Sequence, residues 1–304
     1  MPASLVNGVA TPADLLCLHV QVDGVLTDAY SASFRILDES TLPATVVVTS
    51  TTVSGTAGHL GTGRYSLYRS GAQWTPAAAY ARAVVEWTYV LTSGGASTVV
   101  RMPFEVLANT AASTPEFVYA LQADVAAVGE HGQTARAVRA LQTLWRDTIE
   151  QYCGQQFRLS YGTRRNPGSP SGVKYFLGEV LFGAETLYVN GSTTAATLTN
   201  YAFMVERERR WNPVIEQLSS PNPSIFVSPL PSVGFNRRYP TTVIGSWGFV
   251  EPATLGVPSA ISQACASGIA LAAMQASLLA EIDKITSLDD DRIFRRMLNL
   301  VQAT

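Results

Sequence analysis

Charge is scarce in this 304-residue chain: Asp, Glu, Lys and Arg make up 14% of it, against the usual quarter or so. So thin a charged coat fits a surface covered by neighbours, and a secreted β-rich protein has the same composition. Lysine is almost missing, with 2 Lys against 19 Arg. Arginine makes planar, bidentate, weakly hydrated contacts that suit protein interfaces, and a GC-rich genome gives the same bias. There is no basic excess either. Formal net charge is −2, all of it in residues 1–108 (five basic, seven acidic), while residues 109–304 balance at sixteen and sixteen. A domain that grips nucleic acid through its phosphates carries a basic surplus, so that class is excluded except for a local patch.

Cysteine is equally sparse. Cys17, Cys153 and Cys265 are too far apart for a disulfide framework or a Cys-x-x-Cys metal pair. Each lies in an apolar run and is expected to be a buried free thiol, as in a reducing compartment. No long uninterrupted apolar run exists. The most apolar stretch, Ile261–Leu279, is broken by Ser262, Gln263, Ser267, Gly268, Gln275 and Ser277, and reads as too polar for a membrane span. The first residues lack a charged-then-apolar leader pattern. The expected setting is a cytoplasm, or a particle assembled there, with no membrane partner.

Catalytic motifs are missing too. No Gly-x4-Gly-Lys-Ser/Thr loop and no Gly-x-Ser-x-Gly elbow occurs. The Gly55–Gly63 run has no Lys and reads as a loop. His19, His59 and His131 stand apart, with no Cys partner near in sequence, which argues against zinc. Asp289-Asp290-Asp291 lacks the spacing and closing Glu of a calcium loop and suits a helix start. The arginine clusters (Arg164-Arg165, Arg207/Arg209/Arg210, Arg237-Arg238) fit ion pairs between protomers, with Glu206 and Glu208 alternating in the second, or a solvated surface. The expectation is therefore no enzyme, no cofactor and no metal.

What is present is periodic. From Leu15 to Val106 apolar residues alternate with polar ones, as in Tyr30, Ala32, Phe34, Ile36 and in Val85, Trp87, Tyr89, Leu91. Turn signals at Asp23-Gly24, Leu42-Pro43, Ser70-Gly71 and Gly94-Gly95 separate the runs. The fold class expected is α+β in two domains: an antiparallel β-sandwich of Ig-like outline over 1–108, then a helical domain over 109–304. Residues 107–115 read as a linker crossed by few contacts. Ser113–Glu116 reads as a capping box with Pro115 in the first turn, opening a short helix with Phe117, Leu121, Val125 and Val128 on one stripe. A second helix is predicted over Thr134–Tyr152, with Val138, Leu141, Trp145, Ile149 and Tyr152 on one face and Gly154 as its stop. Asn190-Gly191 predicts a hairpin joining Glu185–Val189 to a strand near Leu198–Val205. A third helix, from about Pro258 to Asp283, is rich in alanine, and its small face, including Ala264 and Gly268, allows close approach to the Trp145 face.

Two segments resemble the head–tail adaptor (head-completion) proteins of long-tailed bacteriophages. One is Ile149-Glu150-Gln151-Tyr152-Cys153-Gly154-Gln155-Gln156-Phe157. The other is Gly245-Ser246-Trp247-Gly248-Phe249-Val250-Glu251-Pro252, followed by Val257-Pro258 and the alanine-rich helix. Between them the family carries a β-hairpin insert, matched in position by residues 158–246. The likeness spans about 117–283, and the compact family members lack the N-terminal sandwich.

The resemblance implies a virion neck protein: a ring, commonly of twelve subunits, beneath the portal and above the stopper or tail, through which double-stranded DNA passes without being read. It marks Trp145, Trp247, Ala264 and Gly268 as subunit-packing candidates. It also implies a C-terminal segment that reaches into the portal. There Arg292, Arg295 and Arg296 would rim an apolar face of Ile293, Phe294, Met297, Leu298, Leu300 and Val301. The N-terminal domain is left for a fibre, capsid or tail contact. The competing reading is a carbohydrate- or host-binding virion protein, with Trp74, Tyr80, Trp87 and Tyr89 as a stacking platform.

Overall fold

The computed structural model describes residues 2–53, 58–69, 72–109, 114–129, 134–166, 174–205, 213–218, 235, 238–251 and 255–286. In chain order the first strands are β1 (Ala3–Val6), β2 (Leu18–His19), β3 (Gln21–Val22), β4 (Val25–Leu26), β5 (Ser31–Asp38) and β6 (Thr45–Val53). Then come β7 (His59–Gly61), β8 (Arg64–Tyr65), β9 (Tyr68–Arg69), β10 (Ala72–Gln73), β11 (Tyr80–Val90), β12 (Ser97–Leu107) and β13 (Glu116–Phe117). Helices α1 (Gln122–Val128) and α2 (Ala135–Cys153) precede β14 (Ser160–Asn166), β15 (Lys174–Phe176) and β16 (Leu181–Tyr188). The chain continues through β17 (Tyr201–Val205), β18 (Pro213–Gln217), β19 (Thr241–Trp247) and α3 (Ser259–Thr286). The fold is mixed α+β, mostly sheet with three helices.

The period-two pattern builds a six-stranded sheet in the order β13-β1-β12-β11-β5-β6. Trp87 sits between Phe34 and Val100, and Val85 between Ile36 and Met102, so side chains of one parity stack across three strands. All six are buried. Leu15, Leu16, Leu18, Tyr65, Leu67 and Trp74 join them in one core cluster, and the Trp87 indole N–H donates to the Leu16 carbonyl at 3.1 Å. The opposite parity carries charge. Glu86 lies opposite Arg35 on one side and Arg101 on the other, pairing with them at 2.5 and 3.5 Å. Such partly exposed pairs set register more than they stabilise. The alternation ends early, since Leu91 is exposed. The sheet is not wholly antiparallel: β1 runs parallel to β12.

The expected linker is crossed by many contacts. β13 pairs with β1, so Glu116–Phe117 is strand where a capping box and first helical turn were expected. Glu116 is held sideways by Arg139 at 2.9 Å, Arg146 at 3.3 Å and Thr143 at 3.0 Å. The helix starts later, at Gln122, where the Asp124 carboxylate accepts the Leu121 N–H at 3.0 Å. Val125 is buried as expected, but Val128 is exposed. From the N-terminal sheet, Glu105 accepts the Gln122 N–H at 2.6 Å and the Gln142 amide at 3.2 Å. Strands β3 and β4 join the sheet β14-β19-β16-β4-β3, and Leu159, Val250 and Leu255 enter the N-terminal core.

Helix α2 matches its expected ends. Thr134 caps it, accepting the Ala137 N–H at 3.3 Å, and Gly154 closes it in the left-handed region at φ 62°. Tyr152 does not share the buried stripe: it is 92% exposed. Asn190 and Gly191 both take positive φ, 57° and 70°, as a tight turn requires. The hairpin does not form, however. β16 pairs with β19, Leu198–Asn200 is a 3₁₀ turn, and β17 enters a separate sheet, β15-β18-β17. The Gly191 N–H donates to the Pro240 carbonyl at 2.8 Å, which directs the chain away from its expected partner.

Candidate assembly surface

Helix α3 follows from its composition. Sixteen of its 28 residues run from Ser259 to Met274 as mostly small side chains, which let it lie against α2 at close range. A Cβ added to Gly268 would come within 2.7 Å of three ring carbons of Trp145. The indole therefore lies flat on the helix backbone, as the expected packing requires. Cys265, Ala266, Ile269 and Ala270 fill the same cluster with Val138, Phe157 and Val257. Ala264 is exposed and points elsewhere, which corrects its assignment to the close-packed face. The two sites separate sharply. Gly268→Leu is expected to cost about 3 kcal/mol by overpacking, and Ala264→Leu less than about 0.5 kcal/mol as a surface change. Urea denaturation of both variants checks this, and equal losses would refute the packing.

The outer side of α3 is an open, largely apolar stripe broken by Ser267 and Gln275. Ala260, Ala264, Ser267, Leu271, Gln275 and Leu278 recur at spacings of 3 and 4, and all are exposed. Leu271, Leu278 and Leu279 are 58%, 53% and 62% exposed, and Leu144 on α2 is 59% exposed. Ser259–Ala280 has the length and composition to cross a membrane, which corrects the reading of Ile261–Leu279 as too polar for a span. A packed core helix meets the same test, and the Cys265–Ala273 side is packed.

Trp247 is buried in the chain's own core, and its indole N–H donates to the Gly162 carbonyl at 3.0 Å, so it cannot be a subunit contact. The glycines around it leave no room for side chains. A Cβ on Gly245 would lie 2.3 Å from the Gly183 carbonyl oxygen, and one on Gly248 would lie 1.8 Å from that of Arg158. The stacking platform fails similarly. Trp74 and Trp87 are 8% and 0% exposed, and Tyr80 and Tyr89 pack on the same core. Residues Arg292–Val301 lie outside the described residues, as do Arg207, Arg209, Arg210, Arg237 and His131. Arg164 pairs with Glu179 at 3.0 Å, within the chain.

Cys17 and Cys265 are buried, and burial pushes each thiol up to about 12. Cys153 is exposed at the end of α2, which corrects its reading as buried. His19 is a satisfied interior residue: its Nδ1 meets the Ser246 hydroxyl at 2.6 Å. His59 reaches the Asp28 carboxylate at 2.9 Å and stacks on Tyr65. Among the described residues no group of three or more His, Cys, Asp or Glu is placed to hold a metal ion.

Sequence reasoning missed a buried polar layer under α2. Arg139 and Gln142 are 5% and 0% exposed. Gln142 donates to Glu105 and to the Ala120 carbonyl at 2.9 Å, and Arg139 to the Thr114 carbonyl at 3.0 Å. Burial comes first in raising the Glu105 carboxyl, with the bonds from Gln122, Gln142 and Ser4 and the Arg139 charge acting against it. Polar positions three apart on an amphipathic helix look like its solvent side, so no local signal marks them. Comparison with known proteins finds no matching family model, no similar curated protein and no similar solved structure.

Proposed function

We propose that this chain is a structural virion protein that forms a homo-oligomeric ring at the head–tail connector of a tailed phage, bridging the portal to the stopper or tail around the DNA passage. The observation that carries the reading is α3. One side is locked on Trp145 through Gly268, while the other presents Leu271, Leu278 and Leu279 to solvent. A two-faced helix of this kind suits a subunit whose outer stripe is covered on assembly. The order α2, Gly154, Gly-Ser-Trp-Gly, Val257-Pro258, α3 supports the same family resemblance. The finer architecture we propose is an N-terminal β-sandwich of Ig-like outline over 1–108, carrying a fibre, capsid or tail contact, and a helical adaptor domain over 109–304. A net-neutral 109–304 segment suits a conduit that lets DNA slide.

The reading is tested by mixing the protein with portal rings and viewing the product by electron microscopy, with sedimentation of the protein alone. Leu271→Asp combined with Leu278→Asp is expected to leave the melting curve near that of the parent and to reduce ring formation at least tenfold. Deleting residues 288–304 is expected to spare the fold and abolish portal binding. Normal rings from the Asp variant remove the α3 stripe from the interface, and parental portal affinity after the deletion ends the docking idea.

A further inference from the structure

We propose that the cleft at the start of β5 binds a single neutral pyranose ring, at residues distinct from the buried Trp74 and Trp87. A cavity of about 350 Å³ lies there, lined by Asp28, Tyr30, Ser31, Thr52, His59 and Tyr65. The buried Ala32 and Val53 add apolar wall. Ligand pockets run from about 300 to 1,000 Å³, so this one has room for one small ring.

Asp28 is held as a fixed acceptor with one oxygen to spare. Its Oδ1 accepts the Gly63 N–H at 2.7 Å and meets the His59 Nε2 at 2.9 Å. Its Oδ2 has no hydrogen-bond partner among the described residues, and the side chain is 53% exposed. His59 faces the carboxylate through Nε2, which leaves Nδ1 open on a side chain that is 32% exposed. In the neutral imidazole that nitrogen is a second acceptor. The imidazole stacks on Tyr65, with centroids 5.1 Å apart and planes 17° from parallel. Tyr65 is tied in turn, its hydroxyl accepting the Ala29 N–H at 2.8 Å. Both acceptors are thus oriented before any ligand arrives, which lowers the cost of binding. Tyr30, in the same lining, is 68% exposed.

The chemistry of the lining selects the ligand class. Among the described residues it carries one carboxylate and no Lys or Arg, so an anion is repelled. A wholly apolar ligand would take water from the Asp28 carboxylate and return no bond. A lone ammonium would meet a single half-exposed carboxylate already shared by Gly63 and His59, a pairing worth little in water. A pyranose uses the whole set. Its hydroxyls donate to Oδ2 and Nδ1 and exchange bonds with the hydroxyls of Tyr30, Ser31 and Thr52. Its C–H face lies on the exposed Tyr30 ring, whose face is electron-rich. Nothing in this site depends on α3, so sugar binding and ring formation succeed or fail separately.

The test is calorimetric titration of the full chain at neutral pH with the methyl glycosides of glucose, galactose and mannose, and with ethylammonium as the cationic comparison. At least one glycoside is expected to bind at one site per chain, at least tenfold more tightly than ethylammonium. Asp28→Asn is expected to weaken that glycoside at least tenfold. His59→Phe keeps a ring to stack on Tyr65 but removes the acceptor nitrogen, and is expected to weaken it severalfold. Tyr30→Trp enlarges the exposed ring and is expected to tighten it severalfold, a gain that a misfolded variant could not give. The proposal falls if no glycoside gives binding heat, if ethylammonium binds equally well, if Asp28→Asn or His59→Phe binds like the parent, or if Tyr30→Trp weakens binding.

Discussion

Gly248→Ala is expected to lower unfolding stability by roughly 4 kcal/mol, the sum of one overpacking term and one backbone-strain term. Gly248 has φ 131°, where a side chain is strained, and its Cβ would sit 1.8 Å from the Arg158 carbonyl oxygen. Backbone does not swing aside as a side chain can. The Gly248 N–H donates to the Val180 carbonyl at 2.8 Å, and the Phe249 N–H to the Gln156 carbonyl at 2.8 Å. A shift here would therefore disturb the end of β19, the approach to β16 and the exit from α2 together. Gly94→Ala is the control. Its φ is also positive, 74°, but nothing lies within 4 Å of the added carbon, so about 1 kcal/mol is expected. Denaturant melts of the two variants compare them directly. Equal, small losses would mean that the Trp247-Gly248 junction tolerates a side chain after all.

Local signals in the sequence were read well where a single residue decides the outcome. Thr134 and Gly154 bound α2 because a hydroxyl cap and a left-handed glycine act within one turn. Alternation placed Phe34, Ile36, Val85 and Trp87 inward, because strand parity is a local property. The small face of α3 and the Trp145 face of α2 meet because size complementarity is visible in composition, but Trp145 and Gly268 meet within one chain, which corrects their assignment as contacts between subunits. Failures share a cause, which is that a remote partner outbid the local preference. Ser113–Glu116 resembles a capping box, yet β1 and three side chains of α2 take up Glu116 and its backbone. Asn190-Gly191 made its turn, yet β19 was available to β16 and displaced the expected hairpin strand. The same holds for the cleft beside β5. Asp28 and His59 are 31 positions apart, and no pattern in either neighbourhood foretells their pairing. The 107–115 stretch looked like a linker by composition, while the ties across it lie at Glu105, Glu116 and β3–β4.

Acidification is expected to weaken the fold through His19, by up to roughly 4 kcal/mol between pH 6.5 and 3, at about 1.36 kcal/mol per pH unit. Burial first, and the Arg64 and N-terminal charges after it, pull this imidazole from 6.5 down to about 3. It is neutral in the folded chain throughout that window, while the unfolded chain takes up a proton there. The unfolded state binds more protons, so stability rises with pH from about 3 to 6.5 and is flat above. The contribution is complete above the unfolded value and lost as pH falls toward the folded one. Glu105 acts with the opposite sign. Its folded carboxyl is raised, so the native state holds the extra proton and stability falls as pH rises through its own, narrower window. The two are separable by substitution. His19→Asn keeps a polar group near the Ser246 hydroxyl and is expected to flatten the acid limb of a stability–pH curve, whereas Glu105→Gln is expected to steepen it. The structural consequence follows from position. The His19–Ser246 bond joins β2 to β19 across 227 residues, so the cost of charging the buried imidazole falls where these two strands meet. An acid limb equally steep in His19→Asn would show that the loss originates elsewhere.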